Sequence, residues 1–148
     1  MARILLDTNV LVYFYDHNSP EKQKQARLII ERLSTLKNGY ISAQNLAEFV
    51  SATLRKLKPS FTPAEALDEA SLLASSLQVF DLTPQIVLEA ARGVRDHQFS
   101  YYDAQIWATA RLNQIPFVFS EDFQDGQTLE GVKFADPFAE SFRADEWF

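Results

Sequence analysis

Arg3-Ile4-Leu5-Leu6-Asp7-Thr8-Asn9 is the stretch on which the fold turns: a short apolar run that stops at a carboxylate followed by two hydrogen-bonding side chains. A buried strand ending this way delivers an acid to the open edge of a sheet. In open α/β sheets, ligands bind in the crevice beyond the carboxyl ends of the strands, so an acid there is placed for chemistry. The same pattern also suits a plain helix cap, because Asp is a favoured N-cap and a helical run begins near Val10. Three more acids in comparable positions decide between the two.

Outward from this stretch, strand-like runs alternate with helical ones. Short β-type segments fall at Arg3–Leu6, Tyr40–Ser42, Val79–Leu82 and Phe117–Phe119, with a weaker one at Val132–Phe134. Ser19-Pro20 reads as an N-cap with Pro at the first helical position, and Ala26, Ile29, Ile30 and Leu33 follow at helical spacing. Thr62-Pro63-Ala64-Glu65 adds a capping box, Thr83-Pro84 repeats the start signal, and Ser100-Tyr101-Tyr102-Asp103 opens a further helix. Alternating β and α elements predict a parallel sheet with helices on its faces, an α/β fold. No repeat, low-complexity tract or linker interrupts residues 1–148, which read as one domain.

A chain of this length buries roughly 70% of its unfolded surface, enough for a core without staples. Cysteine is absent, which excludes disulfides and the usual thiolate zinc site. The longest apolar run, Val10 to Tyr15, is too short to span a bilayer, and the expectation is a cytoplasmic protein with no membrane partner. Net charge is −6, unevenly spread: residues 1–74 carry nine positive and eight negative charges, residues 75–148 five and twelve. Such acidity argues against nucleic-acid binding, which draws on Lys and Arg. Two local basic clusters, at Lys22, Lys24, Arg27 and at Arg55, Lys56, Lys58, could form a track, or simply be solvated helix faces.

Parallel strands open on one side, so Asp7 and Asp122, in Ser120-Glu121-Asp122-Phe123 after the fourth strand, share an edge. Helices that follow strands start there too, which brings Glu48 and Asp103 to the same neighbourhood. Singly, Glu48 could be a boundary residue, Asp103 a helix-dipole partner and Asp122 a turn residue, as Asp125-Gly126 is. Together they point elsewhere. Two unit charges about 4 Å apart repel by roughly 4 kcal/mol at an effective dielectric of 20, so clustered carboxylates take up protons or bind cations. Oxygen ligands suit Mg²⁺ or Mn²⁺, and His17 and His97 lie in polar contexts read as solvent-facing. Carboxylate-held Mg²⁺ activates water and neutralises phosphate oxygens, so phosphodiester hydrolysis is the leading chemistry.

The ordered set Leu5-Leu6-Asp7-Thr8-Asn9-Val10-Leu11, Asn45-Leu46-Ala47-Glu48, Tyr102-Asp103-Ala104-Gln105-Ile106-Trp107-Ala108 and Ser120-Glu121-Asp122 resembles the PIN-domain nucleases, and among them the VapC-type ribonuclease toxins. The resemblance runs from Arg3 to about Phe138, taking in Asp125-Gly126 and Asp136-Pro137-Phe138. It implies a PIN-like, Rossmann-like three-layer α/β/α fold around a mainly parallel sheet. It implies an Mg²⁺- or Mn²⁺-dependent endoribonuclease, usually a homodimer, restrained by a cognate antitoxin protein. Asp7, Glu48, Asp103 and Asp122 would be the catalytic and metal-binding carboxylates, with Asn9 and Ser120 in support; Asp125 stays outside this set. Residues 138–148 form an acidic aromatic tail that would fold back on the core or a dimer partner, or cover an RNA track. Two other readings stand beside this one. A haloacid-dehalogenase-like phosphatase also starts with a strand ending in Asp, but usually has a second Asp where this chain has Asn9. A non-catalytic metal-binding interaction module is the other.

Overall fold

The computed structural model describes residues 2–148. Six strands, β1 (Ile4–Leu6), β2 (Gly39–Ser42), β3 (Gln78–Phe80), β4 (Phe117–Phe119), β5 (Thr128–Leu129) and β6 (Val132–Ala135), form one sheet in the order β3-β2-β1-β4-β6-β5. All pairings are parallel except β5 with β6. Helices α1 (Thr8–Tyr13), α2 (Pro20–Leu36), α3 (Ala43–Arg55), α4 (Pro63–Ser76), α5 (Pro84–His97) and α6 (Tyr101–Leu112) lie between strands.

Strand periodicity explains the layering. Ile4 and Leu6 point to one face, where α1, α2, α3 and α4 bury Val10, Leu11, Ile29, Leu33, Phe49 and Leu73. Leu5 points to the other, where α5 and α6 bury Ile86, Ala90, Ile106 and Trp107. The sheet is thus covered on both sides, the three-layer arrangement expected of parallel strands. Gly93 lets α5 and α6 approach, since a Cβ there would lie 2.8 Å from the Trp107 ring.

Strand β5 is absent from the sequence reading. It arises from a two-residue turn, Glu130-Gly131, in which both residues have positive φ (49° and 85°), the conformation that joins tight hairpins. His97 is a correction: its Nε2 lies 2.6 Å from Glu130 Oε2 and its ring meets Trp107 edge-on at 5.3 Å, so it faces this hairpin rather than solvent. His17 is exposed, as expected.

The tail packs on the first face. Trp147 meets Phe117 and Phe119 edge-on at 4.8 and 4.9 Å, Phe142 meets Phe119 at 5.4 Å, and Phe138 meets Tyr13 at 4.9 Å. Its aromatics therefore cover β4, the strand that leads into Asp122. Among the described residues, no helix is long and apolar enough to cross a membrane.

Candidate active site

Sheet register builds the centre of the site. Leu6 pairs with Phe119 across the parallel β1–β4 ladder, so the next residues, Asp7 and Ser120, stand opposite each other at the carboxyl edge. Backbone bonds carry the ladder one step further, Asp7 N to Phe119 O and Ser120 N to Ala135 O, both 3.0 Å. Strand order reverses between β1 and β4, which makes this the switch point where open α/β sheets hold ligands.

Asp7 both caps and serves the site. One carboxylate oxygen accepts from Thr8 N at 2.8 Å, at the start of α1, and the other accepts from Ser120 Oγ at 2.8 Å. The Ser120 hydroxyl is saturated, since it also accepts from Asn9 Nδ2 at 3.1 Å and Asp122 N at 3.0 Å. Asn9 Nδ2 donates further to Asp122 Oδ2 at 3.1 Å, and Asn9 Oδ1 accepts from Glu121 N at 3.4 Å. The loop after β4 is braced from outside, where Glu121 accepts from Tyr13 Oη at 2.6 Å and pairs with Lys22 at 2.9 Å.

Glu48 enters from α3. That helix starts at a reciprocal Ser42–Asn45 capping box, which fixes Asn45 completely out of solvent. Asn45 Nδ2 donates to Thr8 Oγ1, and Thr8 Oγ1 donates to Glu48 Oε1, both at 3.2 Å. Gln44, one turn before Glu48, donates to the same oxygen at 3.0 Å and is itself held by buried Gln105 at 2.7 Å. The sequence reading quotes Thr8, Asn45 and Gln105 within its motifs without giving them a role in the site, and does not name Gln44. A Ser-x-x-Asn start to α3 was the one signal for them; buried amides on apolar helices carry no such mark.

Burial pushes the Asp7 carboxyl up to about 7, against the lowering effect of its Ser120 and Thr8 hydrogen bonds, and the like charges of Asp122 and Glu48 raise it further. Asp7, Glu48 and Asp122 are thus joined through Thr8, Asn9 and Ser120. Asp103 is half-buried in the first turn of α6, on the same edge, but makes no side-chain hydrogen bond in this network. Among the described residues, no three His, Asp or Glu side chains gather tightly enough for a ready-made cation cage. The donors nonetheless fit a hard cation. All are oxygen, and the buried acid among them is driven toward protonation unless positive charge arrives. A cation that keeps several waters suits carboxylates spaced in this way. Asp125 instead accepts from Asp136 N at 2.9 Å, tying the β5–β6 region.

Two depressions flank Glu48 and Thr8. An apolar cleft of about 440 Å³ is lined by Ala43, Ala47, Leu82 and Tyr102 together with Glu48. A more polar crevice of about 450 Å³ runs from Thr8, Asn9 and Asp122 to Lys56, Leu57 and Lys58.

The PIN domain sequence family matches residues 4–124, which takes in all four acids, Asn9 and Ser120. The chain belongs to the PIN domain family. The match covers β1 to β4 and the loop carrying Asp122, and the remaining residues supply the β5–β6 hairpin and the tail. Among solved structures, this PIN domain is similar to a toxin–antitoxin complex from Klebsiella pneumoniae (TM-score 0.67, 17% identity, 91% of this chain and 98% of that one). It is similar to DNA-bound VapBC from Salmonella typhimurium (TM-score 0.67, 20% identity, 93% and 99%). It is also similar to Mycobacterium tuberculosis VapC20, a toxin that cleaves the sarcin-ricin loop (TM-score 0.60, 19% identity, 78% and 86%). No curated protein sequence matches the chain. At these identities the likeness establishes a shared fold over nearly the whole length.

Proposed function

We propose that this PIN domain is an Mg²⁺- or Mn²⁺-dependent endoribonuclease that hydrolyses RNA phosphodiester bonds as the toxin of a toxin–antitoxin pair. The observation that carries the chemistry is the hydrogen-bonded set Asp7–Ser120–Asn9–Asp122 with Glu48, at the switch point of a PIN-family sheet. Support for the biology comes from fold neighbours that are toxin–antitoxin complexes or an RNA-cleaving toxin. On this reading the cognate antitoxin is the restraining partner, the working form is a homodimer and the compartment is the cytoplasm.

Asp7, Glu48, Asp103 and Asp122 would hold the cation. When bound, it supplies charge neutralisation at the phosphoryl oxygens and a nucleophilic water. The remaining work belongs to the side chains. Ser120 and Thr8 N fix both oxygens of Asp7, so its ionisation changes charge without moving the group. Asn9 keeps Asp122 beside Ser120, and Thr8 with Gln44 holds the exposed Glu48 carboxylate next to Thr8. Asn9 is a neutral spacer between acids, which leaves the phosphatase alternative, with its second Asp, without support.

The test is cleavage of mixed structured and single-stranded RNA by purified protein with Mn²⁺ or Mg²⁺, beside an EDTA control and Asp7→Asn. Cuts that need the metal and vanish in the variant are expected. Intact RNA together with no cation binding by folded protein would leave the interaction-module reading standing instead.

A further inference from the structure

Of the fourteen Lys and Arg residues, several are consumed inside the fold: Lys22 by Glu121, Arg92 by Glu89, Asp96 and Glu130, Arg95 by Asp96, and Arg111 by Glu89. Lys56 and Lys58 are exposed and form no ion pair or side-chain hydrogen bond among the described residues. They line the far end of the crevice whose near end is Thr8, Asn9 and Asp122. Their backbone is held in place. Lys56 N and Leu57 N both donate to Ala52 O, at 2.8 and 3.0 Å, Lys58 O accepts from Asn18 Nδ2 at 2.9 Å, and Phe61 N donates to Thr53 O at 2.8 Å. Leu57 between them is buried, so the two lysines flank an anchor. The crevice is in the size range of ligand sites, roughly 300–1,000 Å³. Asp16 also lines it, on the α1–α2 loop.

We propose that Lys56 and Lys58 are the phosphate-contacting residues of the substrate path, receiving the backbone of a single RNA strand on one side of the acids. The proposal rests on the nuclease reading, because it needs a polyanion whose scissile phosphate lies over Asp7, Glu48 and Asp122. An anionic strand crossing that edge meets Asp7, Glu48 and Asp122 at one end and two free ammonium groups at the other. Point-charge lysines on flexible stems hold phosphates without reading bases. The subsite therefore contributes affinity and register with little sequence preference.

The experiment is fluorescence anisotropy of a labelled single-stranded RNA oligonucleotide in EDTA, which blocks cleavage, titrated at several salt concentrations. Lys56→Ala/Lys58→Ala is compared with the parent, with Lys56→Arg/Lys58→Arg, and with Lys24→Ala/Lys133→Ala, which removes the same charge elsewhere. Each phosphate contact on a single strand contributes about 0.7 to the log–log salt slope, so the first variant should lose about 1.4. Between about 50 and 200 mM salt the parent's affinity then falls about sevenfold more than the variant's. The Arg pair and the distant pair should keep the parental slope, and circular dichroism should show every variant folded. An unchanged slope in Lys56→Ala/Lys58→Ala, or an equal loss in the distant pair, overturns the subsite. RNA cleavage by the same proteins with Mn²⁺ and no EDTA would show that the nuclease reading survives. A parent that binds no RNA overturns the subsite as well, and its cleavage assay separately decides the activity.

Discussion

Replacing Asp7 by Asn should make the cation-free protein more stable at alkaline pH, although it removes the central acid of the site. The folded carboxyl sits at about 7 against 3.8 when unfolded, chiefly because it is buried. For an acid raised in this way, the unfolded chain releases its proton first. Stability is therefore full below about 3.8, falls as pH climbs to about 7, and stays lowered above that. At 1.36 kcal/mol per unit, the ionised carboxylate costs the fold roughly 4 kcal/mol at pH 8. Asn escapes that cost but cannot accept from both Thr8 N and Ser120 Oγ, and one lost buried hydrogen bond is worth about 1–3 kcal/mol. The net expectation at pH 8 in EDTA is a gain of about 2 kcal/mol, or about 4–8 °C in Tm for a domain of this size. At pH 5 the wild-type carboxyl is mostly protonated and its cost falls to roughly 1.6 kcal/mol, so the gain should vanish. Mn²⁺ should reverse the order at pH 8, since a ligand at a hundred times its Kd adds about 2.7 kcal/mol to wild type and little to the variant. Differential scanning fluorimetry at the two pH values, with and without Mn²⁺, reads all four conditions. A variant equally destabilised at pH 5 and pH 8 would refute the argument that burial of charge dominates this position.

Other perturbations isolate the supports. Calorimetry of Mn²⁺ binding in buffers of different ionisation enthalpy should show roughly one proton released at about pH 6 and almost none at about pH 8, with affinity about tenfold weaker at the lower pH. Ser120→Ala strips the donor from Asp7 and the acceptor from Asn9 and Asp122 N, and should cost about 1–3 kcal/mol in urea denaturation along with most of the cleavage rate. Thr8→Val keeps the shape but cuts the link between Asn45 and Glu48, and should weaken Mn²⁺ binding about 10–100-fold. It also leaves the buried Asn45 amide without its acceptor, which should cost about 1–3 kcal/mol in urea denaturation.

Legibility in the sequence followed the range of the interactions. Asp7 and the strand before it were readable because an apolar run, a carboxylate and a helix start are local. Strand β3 moved from Val79–Leu82 to Gln78–Phe80, since a short edge strand has a weak pattern and its ends are set by pairing with β2. The β5 hairpin was missed because Thr128–Leu129 is only two residues long and Glu130, not Asn or Asp, starts its turn. In the site, the edge shared by Asp7 and Asp122 followed from parallel topology alone. Ser120 as the hub did not, because it depends on Leu6 pairing with Phe119 and not with a neighbour one residue away. Asp103 shows the converse: the same helix-start rule places it on the right edge, yet nothing in that rule says how near its carboxylate comes to the others.

The overall acidity, which argued against a nucleic-acid substrate, loses much of its force once the charges are placed. Screening confines exposed charges to about 8 Å at physiological ionic strength, so the excess acid of residues 75–148 matters to a bound strand only where it lies nearby. What an approaching phosphate meets is local: Asp7, Glu48, Asp122 and Asp16 against Lys56 and Lys58. Without a cation the acids prevail at the scissile position and the lysines only beside it. On the proposed reading a bound divalent ion reverses that balance at one end while the lysines hold the other. Cation and RNA should therefore each tighten the other's binding by the same factor, as linkage requires of any two ligands that share a charge environment. RNA anisotropy with Asp122→Asn supplies the decisive comparison. Removing an exposed acid should strengthen metal-free RNA binding and weaken its enhancement by Mg²⁺. A variant that binds RNA no better in EDTA would mean that the crevice does not sense these carboxylates at all.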